Sequence, residues 1–239
     1  MKLKKISITN YRQFQNAVIN FDDELTILAG ANNSGKTSII ELFKRIFKDK
    51  NFSKEDISAE YYSKLQYDFI SCINRIYTIT DKETEFRENV KAEFSAENKN
   101  RWTAIKIKIE VQYDKNESIS LFSDYLMELS DTCTSFFFLF NYEINITELN
   151  KRLSLNTLNL LDKKHEIKKL EESRKTKETS IRLTELQAEY EEFLKEIFDG
   201  ALENRTYFAD KNYENVEQIS VREFQSLFNY NYLTQTSHT

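Results

Sequence analysis

The sequence predicts an α/β protein in which a short strand leads into a glycine-containing loop and a helix follows the loop. Residues 25–29 (LTILA) form an apolar run of strand length, which indicates a buried strand. Residues 30–38 (GANNSGKTS) fit the pattern G-x-x-x-x-G-K-[ST], and apolar residues recur at helical spacing through residues 39–47. Strand, glycine-containing loop and helix in this order bring backbone N–H groups and the positive end of a helix to one phosphate-binding point.

Each residue of this loop has an expected role in holding a nucleoside triphosphate and its magnesium ion. Gly30 and Gly35 allow the tight backbone path, and Lys36 reaches the β- and γ-phosphates. The Thr37 hydroxyl is the expected Mg²⁺ ligand. The predicted nucleotide-binding set is completed by Asn32, Asn33, Ser34 and Ser38. The alternative is a chance match to the pattern in a glycine-containing turn.

Composition supports a protein with a true hydrophobic core. The chain has 239 residues, of which 40% are hydrophobic, enough for one large domain or for one domain with an insertion. Two of its three glycines lie in the predicted loop, and there is no proline. Residues 1–50 hold nine Lys and Arg against five Asp and Glu, although the whole chain carries a net charge of −5. A positive segment on an acidic body suits a triphosphate site and does not by itself indicate a nucleic-acid-binding protein.

Several other classes of protein are disfavoured by the sequence. Cys72 and Cys133 are isolated from each other and from the two histidines, so neither a metal cluster nor a disulfide framework is predicted. The longest apolar run, residues 136–140, is far too short to span a bilayer, and the first residues do not resemble a signal peptide. We therefore predict a soluble cytoplasmic protein without a membrane partner.

The hydrophobic pattern predicts an antiparallel sheet on the N-terminal side. Strands are predicted at residues 3–9 and 16–21, followed by a helix at 54–77 and a polar loop at 80–101. Strict alternation then predicts strands at residues 105–113 and 136–146, each with one solvated face, and a short helix at 119–129 lies between them. Two such strands favour antiparallel over parallel pairing.

A long helical segment is predicted to follow the sheet. Residues 148–198 contain no helix breaker, and Leu183, Leu186, Tyr190, Phe193 and Ile197 have the spacing of a coiled-coil seam. This arm either packs on its own domain or contacts a partner or DNA. A last helix is predicted at residues 216–227. The predicted organisation is an ATPase-type lobe at residues 1–147, a helical or coiled-coil arm at 148–199, and a return segment at 200–239.

The first fifty residues resemble the N-terminus of ABC-type ATPases of the SMC, RecF and OLD (overcoming lysogenization defect) group. Proteins of this group begin with a strand, an aromatic–arginine pair, a second strand and a G-x-N-x-[SA]-G-K-[ST]-[SN] loop. The counterparts here are residues 6–14 (ISITNYRQF) and 30–38, and the spacing from Arg12 to Gly30 makes the likeness specific. One departure is Ala31, where the group usually has proline.

The resemblance implies an α/β lobe of the P-loop NTPase class that binds ATP and Mg²⁺. It further implies that Arg12 approaches the nucleotide phosphates and that Tyr11 or Phe14 lies near the base, with core packing as the alternative for both rings. The later pattern, two long strands with a short helix between them and then residues 207–210 (YFAD) before a final helix, looks most like the OLD-type ATPases of phage-defence systems such as Gabija. The implied roles are DNA repair or anti-phage defence. The implied partners are a second copy or a partner ATPase or nuclease subunit, with nucleic acid contacted by the complete assembly.

Two motifs of a working head of this group are missing from the sequence. No two glycines are adjacent, so an LSGG-like signature is absent, and no apolar strand ends in Asp-Glu as a Walker B strand does. The nearest Walker B candidate is Glu143. The chain therefore looks like the first lobe of a larger ATPase, and we expect ATP hydrolysis only when complementary motifs complete it.

Two alternatives remain open at this point, a P-loop kinase and a non-catalytic nucleotide-binding scaffold. A GTPase would need an N-K-x-D motif, and residues 98–101 (NKNR) lack its Asp.

Overall fold

The computed structural model describes residues 2–31, 34–48, 51–113, 134–173 and 176–227. They belong to two compact units. The first unit comprises Met1–Ala59, Ala104–Tyr142 and Asn204–Thr239, and the second comprises Glu60–Thr103 and Glu143–Glu203. The helix predicted at residues 119–129 lies outside the described residues.

The described residues form six strands and six α-helices. In chain order these are β1 (Lys2–Tyr11), β2 (Phe14–Asn20), α1 (Lys36–Phe47), α2 (Ala59–Ile79), α3 (Glu83–Glu93), β3 (Thr103–Gln112), β4 (Ser135–Ile144), α4 (Ile146–Glu172), α5 (Lys177–Asp199), β5 (Leu202–Ala209), β6 (Val216–Ile219) and α6 (Val221–Leu227). Short 3₁₀ turns occupy Lys54–Asp56 and Ala96–Trp102. Among these elements no helix has both the length and the apolar character needed to cross a bilayer.

The six strands form one sheet in the order β2-β1-β3-β4-β5-β6, so the predicted α/β fold with an antiparallel sheet is confirmed. Strand β1 pairs antiparallel with both β2 and β3, and β5 pairs antiparallel with β6. Ile6 lies opposite Ile109, and Ile8 lies opposite Ile107. All four of these side chains are buried, whereas Lys108 between the two β3 isoleucines is only partly covered. The period-2 pattern of β3 thus correctly predicted one buried and one wetter face.

Strand β4 differs from its prediction because both of its faces are buried. We expected residues 136–146 to have one solvated face, but burial is nearly continuous from Phe136 to the end of the strand. The rings of Phe138 and Phe140 each contact Phe224 of α6, at 4.9 Å and 4.7 Å between centroids. Phe137 contacts Tyr213 at 5.8 Å. Aromatic side chains from later in the chain therefore cover both faces, which alternation within β4 could not reveal.

The predicted strand at residues 25–29 is wrong. This segment has no regular secondary structure, and the Leu25 and Ile27 side chains are 70% and 75% exposed. A strand needs a neighbour that pairs its backbone groups, and the segment is absent from the six-stranded sheet. The start of the segment makes a local hydrogen bond instead of strand pairing. The Thr26 hydroxyl accepts it from the Asp22 backbone N–H at 2.9 Å.

The helix that follows the loop begins where the sequence predicts, at Lys36. Helix α1 buries an apolar stripe that includes Ile39, Leu42 and Ile46. The next predicted helix, residues 54–77, is divided. Its first residues form the 3₁₀ turn Lys54–Asp56, and α2 begins only at Ala59.

The second unit contains a helix where we predicted a polar loop at residues 80–101. Helix α3 occupies Glu83–Glu93, and its buried residues are Phe86 and Val90. With Phe94 these residues recur every fourth position, but charged neighbours on all other faces weaken the pattern. Phe94 and Trp102 pack at 5.3 Å between ring centroids. The polar loop prediction is wrong because one narrow apolar stripe is enough to hold the short helix α3 on the core.

Helices α4 and α5 occupy the segment predicted to be a helical arm. They run antiparallel, because Lys163 pairs with Glu189 and Arg182 pairs with Glu166. The predicted seam residues of α5 are buried apart from Phe193, whose place is taken by Leu194. The coiled coil and the boundaries at residues 147 and 199 stay predictions. The predicted last helix is shorter than expected, since residues 216–219 form β6 and only Val221–Leu227 is helical.

Candidate phosphate-binding site

The candidate site lies in the first unit, where the loop at residues 30–35 meets the start of α1. Gly35 precedes the helix with φ +94°, in the left-handed region that favours glycine. The first intrahelical acceptor is the Gly35 carbonyl, which receives the Ile39 N–H at 3.0 Å. The N–H groups of the first helical residues therefore have no acceptor within the helix and are available to an anion. No acidic residue lies in the first turn to compete with that anion.

Both glycines of the loop stand where a side chain would collide with a neighbour. A Cβ on Gly35 would lie 2.6 Å from the Gln13 Nε2 and closer still to the Phe14 ring. A Cβ on Gly30 would lie 2.6 Å from the Ser34 Oγ. At Gly35 the positive φ adds conformational strain to the collision. Gly35 is therefore required for space as well as for backbone conformation.

The Lys36 ammonium lies inside its own loop. Its Nζ donates to the carbonyl oxygen of Gly30, to the Ala31 carbonyl oxygen at 2.8 Å and to the Ser34 Oγ at 3.3 Å. These acceptors belong to the loop, so the positive charge is held within it, and the contact of Lys36 with phosphates stays a prediction. An anion that enters the loop can exchange with these neutral acceptors, and a hydrogen bond between two ionised groups is the stronger one.

The hydroxyl groups that follow Lys36 differ in their surroundings. Thr37 is exposed, and its hydroxyl makes no hydrogen bond to any residue that the structure describes. It is therefore available to a cation, and its role as the Mg²⁺ ligand stays a prediction. Ser38 is buried, and its Oγ donates to the Gln13 Oε1 at 3.0 Å. Asn32 and Asn33, which were also predicted to contact nucleotide, lie outside the described residues.

Arg12 forms part of an ion-pair cluster. Its Nε and Nη2 both donate to the Asp56 Oδ1, at 3.1 Å and 3.0 Å, and its backbone N–H donates to the Asp56 carbonyl oxygen at 2.7 Å. The other carboxylate oxygen, Oδ2, pairs with the Arg45 Nη2 at 2.9 Å. Asp56 is 1% exposed, so this cluster fixes the β1–β2 turn to α1 and to the turn before α2. The approach of Arg12 to phosphates remains a prediction.

The two aromatic residues beside Arg12 have different positions. Tyr11 is fully buried and packs edge-on against Phe52 at 5.9 Å between ring centroids. Burial raises the pKa of the Tyr11 hydroxyl to about 12. Tyr11 is thus a core residue, which was the alternative to a contact with the base. Phe14 is only partly buried and lies against Gly35, beside the loop.

The residues present fit a Mg²⁺-triphosphate group. The loop brings together an ammonium, free helix N–H groups and an unpaired hydroxyl, which are the donors and the ligand that phosphates and Mg²⁺ require. In this arrangement Lys36 and the N–H groups would hold the phosphates, and Thr37 would ligate the metal. Glu143, the Walker B candidate, is buried in β4, and its role stays untested.

Sequence reasoning missed Gln13, which lies against the loop, and also Arg45 and Asp56, which form the ion-pair cluster with Arg12. One signal for Asp56 was visible, because Ser53 and Asp56 have capping-box spacing and both capping hydrogen bonds are formed. No local pattern marked Gln13, whose partner Ser38 lies 25 residues further along the chain. Arg45 is one of several charged positions in the predicted helix, and nothing in the sequence distinguishes it from the others.

The left-handed Gly35 and the uncapped start of α1 are features that a phosphate-binding loop requires. Residues 1–237 match the AAA ATPase domain, and the chain belongs to this family. A 41-residue segment is 46% identical to the "DNA replication and repair protein RecF" of Macrococcus caseolyticus and covers 17% of this chain and 11% of that relative. A 65-residue segment is 37% identical to the "DNA double-strand break repair Rad50 ATPase" of Methanosarcina mazei and covers 27% of this chain and 6% of that relative.

A third relative is the uncharacterized protein MJECL44 of Methanocaldococcus jannaschii. It is 29% identical over 92 residues, which cover 38% of this chain and 28% of that protein. The matched segments thus span 11%, 6% and 28% of these three relatives, less than a third of each. The similarities support the resemblance to the SMC and RecF group, whereas the likeness to OLD and Gabija proteins stays a prediction.

Proposed function

We propose that this chain is the ATP-binding lobe of an ABC-type ATPase of the SMC, RecF and OLD group, which binds Mg-ATP and acts in DNA repair or anti-phage defence. The observation that carries the proposal is the start of α1. There a left-handed Gly35 precedes Lys36, and the ammonium lies among loop acceptors beside free helix N–H groups. Membership of the AAA ATPase family supports ATP as the ligand, and the names of the RecF and Rad50 relatives support a repair role.

We further propose that hydrolysis requires a complementary lobe from a second copy or from a partner ATPase or nuclease subunit. The sequence lacks the signature glycines, which supports a need for completion. Nucleic acid would be contacted by the complete assembly.

A second candidate function is a nucleotide-binding scaffold without catalysis. The absence of any apolar strand that ends in Asp-Glu favours it, because a Walker B acid is needed to hold Mg²⁺ and to position water. The two functions differ in one measurement. A scaffold binds ATP and never releases phosphate, even with its partner, whereas an ATPase lobe gains turnover when the partner is added.

The central test is titration of fluorescent ATP against the parent chain and Lys36→Ala. Removal of the ammonium takes away hydrogen bonds between charged groups, each worth roughly 1.5–3 kcal/mol, so we expect about 10–100-fold weaker binding. Lys44→Ala is the matched control, because Lys44 lies on the same helix and pairs with Glu41 at 2.6 Å. Equal binding by Lys36→Ala and the parent would overturn the site assignment.

The metal role of Thr37 is tested by the Mg²⁺ dependence of the same titration. Thr37→Ala should lose most of the gain in ATP affinity that Mg²⁺ gives the parent, because the alanine side chain has no metal-ligating oxygen. Thr37→Ser keeps the hydroxyl and should retain that gain. An unchanged Mg²⁺ dependence in Thr37→Ala would exclude Thr37 as the metal ligand.

A further inference from the structure

Gln13 reaches the phosphate-binding loop from the turn between β1 and β2. The residue is exposed, yet the end of its side chain lies against two residues of the site. Its Oε1 accepts a hydrogen bond from the buried Ser38 hydroxyl at 3.0 Å. Its Nε2 would lie 2.6 Å from a Cβ on Gly35, so the amide nitrogen lies directly beside the loop backbone.

The bond to Ser38 orients the carboxamide. A glutamine amide carries one acceptor oxygen and one nitrogen with two hydrogens, on opposite sides of the group. Because Oε1 faces Ser38, Nε2 is turned away from Ser38 and towards Gly35. Within the described part of the chain, Nε2 makes no hydrogen bond. The site therefore includes an oriented donor group that the protein itself does not use.

We propose that Gln13 is a phosphate-binding residue, whose Nε2 donates to an oxygen of the triphosphate held in the loop while its Oε1 keeps Ser38 in place. This inference rests on the proposed function, because it names a further contact at the same site. A neutral amide that donates to an ionised phosphate oxygen makes a charge-assisted hydrogen bond, stronger than one between two neutral groups.

The role of Ser38 changes in consequence. A serine hydroxyl has one hydrogen, and the Ser38 hydrogen is already donated to Gln13. Ser38 therefore contacts the nucleotide with its backbone N–H in the first turn of α1, and its hydroxyl positions Gln13. This makes Ser38 a positioning residue.

The decisive variants are Gln13→Ala and Gln13→Glu. Gln13→Ala removes the donor, and we expect about 10-fold weaker ATP binding, the size of one hydrogen bond to a charged group. Gln13→Glu keeps an oxygen for Ser38 but replaces the donor nitrogen with a negatively charged oxygen beside the phosphates. Its loss should exceed that of Gln13→Ala and should shrink at high salt, where charge repulsion is screened.

The matched charge control is Asn20→Asp. Asn20 is exposed at the far end of β2, about 20 Å along the strand from the turn, and this change should leave binding unaltered. Ser38→Ala keeps the backbone N–H and should weaken binding only a few-fold. Competition by inorganic tripolyphosphate should show the same order of variants as ATP, because the proposed contact is with the phosphates and not with the base.

The outcomes separate this proposal from the proposed function. If the parent chain binds ATP and Gln13→Glu binds equally well, Gln13 does not touch the phosphates and this inference is overturned. It is overturned also if Gln13→Glu is harmless while Gln13→Ala and Ser38→Ala lose affinity equally, because Gln13 would then only hold Ser38. If the parent binds neither ATP nor tripolyphosphate, the proposed function itself fails.

Discussion

The ring of Phe14 occupies the space that a side chain on Gly35 would need. An ideal Cβ on Gly35 meets the edge of this ring, and the φ of +94° is one that L-residues rarely adopt. The β1–β2 turn therefore packs directly on the phosphate-binding loop. The loop glycine is required by a contact as well as by its own conformation.

This contact predicts that Gly35→Ala loses nucleotide binding and stability together. A left-handed alanine costs about 1–2 kcal/mol, and the collision with Phe14 displaces either the turn or the loop. We expect at least 10-fold weaker ATP binding in the titration and a lower midpoint of thermal unfolding. The double variant Gly35→Ala/Phe14→Ala removes the collision with the ring but keeps the strain and the close approach to the Gln13 amide, so it should bind ATP more tightly than Gly35→Ala and more weakly than Phe14→Ala alone. Parent-like binding by Gly35→Ala would contradict this view of the loop.

Asp56 is predicted to be the stability determinant of the turn beside the loop. It is nearly fully buried and pairs with both Arg12 and Arg45, so Asp56→Asn leaves two guanidinium groups without their carboxylate. Loss of one partner from a buried ion pair is strongly destabilising. Because both guanidinium groups are partly exposed, we expect roughly 2–3 kcal/mol lower stability in urea unfolding. Glu41→Gln, which breaks the surface pair with Lys44, should change stability by about 0.5 kcal/mol or less. Similar effects of the two changes would rule out a special role for Asp56.

Tyr11→Phe is predicted to preserve or raise stability. The Tyr11 hydroxyl is buried and has no hydrogen-bond partner among the described residues, so its removal relieves an unsatisfied polar group. As a control, Tyr61→Phe should lower stability by about 1 kcal/mol, because the Tyr61 hydroxyl donates to the Thr103 carbonyl oxygen at 3.2 Å. A Tyr11→Phe variant clearly less stable than the parent at neutral pH would contradict this prediction, because the hydroxyl would then be making a stabilising hydrogen bond.

The same substitution has a predicted pH signature. The pKa of Tyr11 is about 12 in the folded protein, because burial disfavours the phenolate, and about 10 in an unfolded chain. Between these values the unfolded state binds fewer protons than the folded state, so stability falls as pH rises. The parent should lose up to about 1.4 kcal/mol per pH unit more than Tyr11→Phe in this window. Urea unfolding at pH 8 and pH 11 measures this difference, and equal losses would contradict the raised pKa.

The sequence predicted those parts of the fold in which local pattern and packing agree. The alternation of β3 and the helical spacing after Lys36 both describe faces that are buried in the structure. Residues 25–29 show the limit of such patterns. An apolar run specifies what a segment would bury, but a strand also needs a pairing neighbour, and Ile27 has none in the sheet.

The candidate site was predictable to the extent that it is contiguous in sequence. Gly30, Gly35, Lys36 and Thr37 lie within one motif, and their roles at a nucleotide stay predictions. Gln13 is brought to the loop only by the β1–β2 turn, and Asp56 is brought to that turn by the 3₁₀ turn before α2. Tertiary contacts of this kind have no local signature, so they become visible only in the structure.

The last prediction concerns catalysis, and it depends on which groups the loop can and cannot supply. Phosphoryl transfer to water needs a positioned water molecule, Mg²⁺ and compensating positive charge. Lys36 and Thr37 offer charge and a metal ligand, but the sequence has no Asp-Glu strand end and no adjacent glycines for a signature loop. Because the loop supplies only part of the required set, nucleotide binding and turnover should be separable in this protein.

We therefore expect the purified 239-residue chain to bind ATP and to release phosphate only at a trace rate. Steady-state phosphate release with Lys36→Ala as the blank measures this, and turnover should increase only when a complementary lobe or partner is added. Robust turnover by the chain alone that disappears in Lys36→Ala would show that it contains a water-positioning acid. Glu143 is the first candidate, because it is a buried carboxylate within β4 and the nearest match to a Walker B residue. Glu143→Gln would then abolish turnover while leaving ATP affinity intact, since an acid that positions water acts in the transition state and not in ground-state binding.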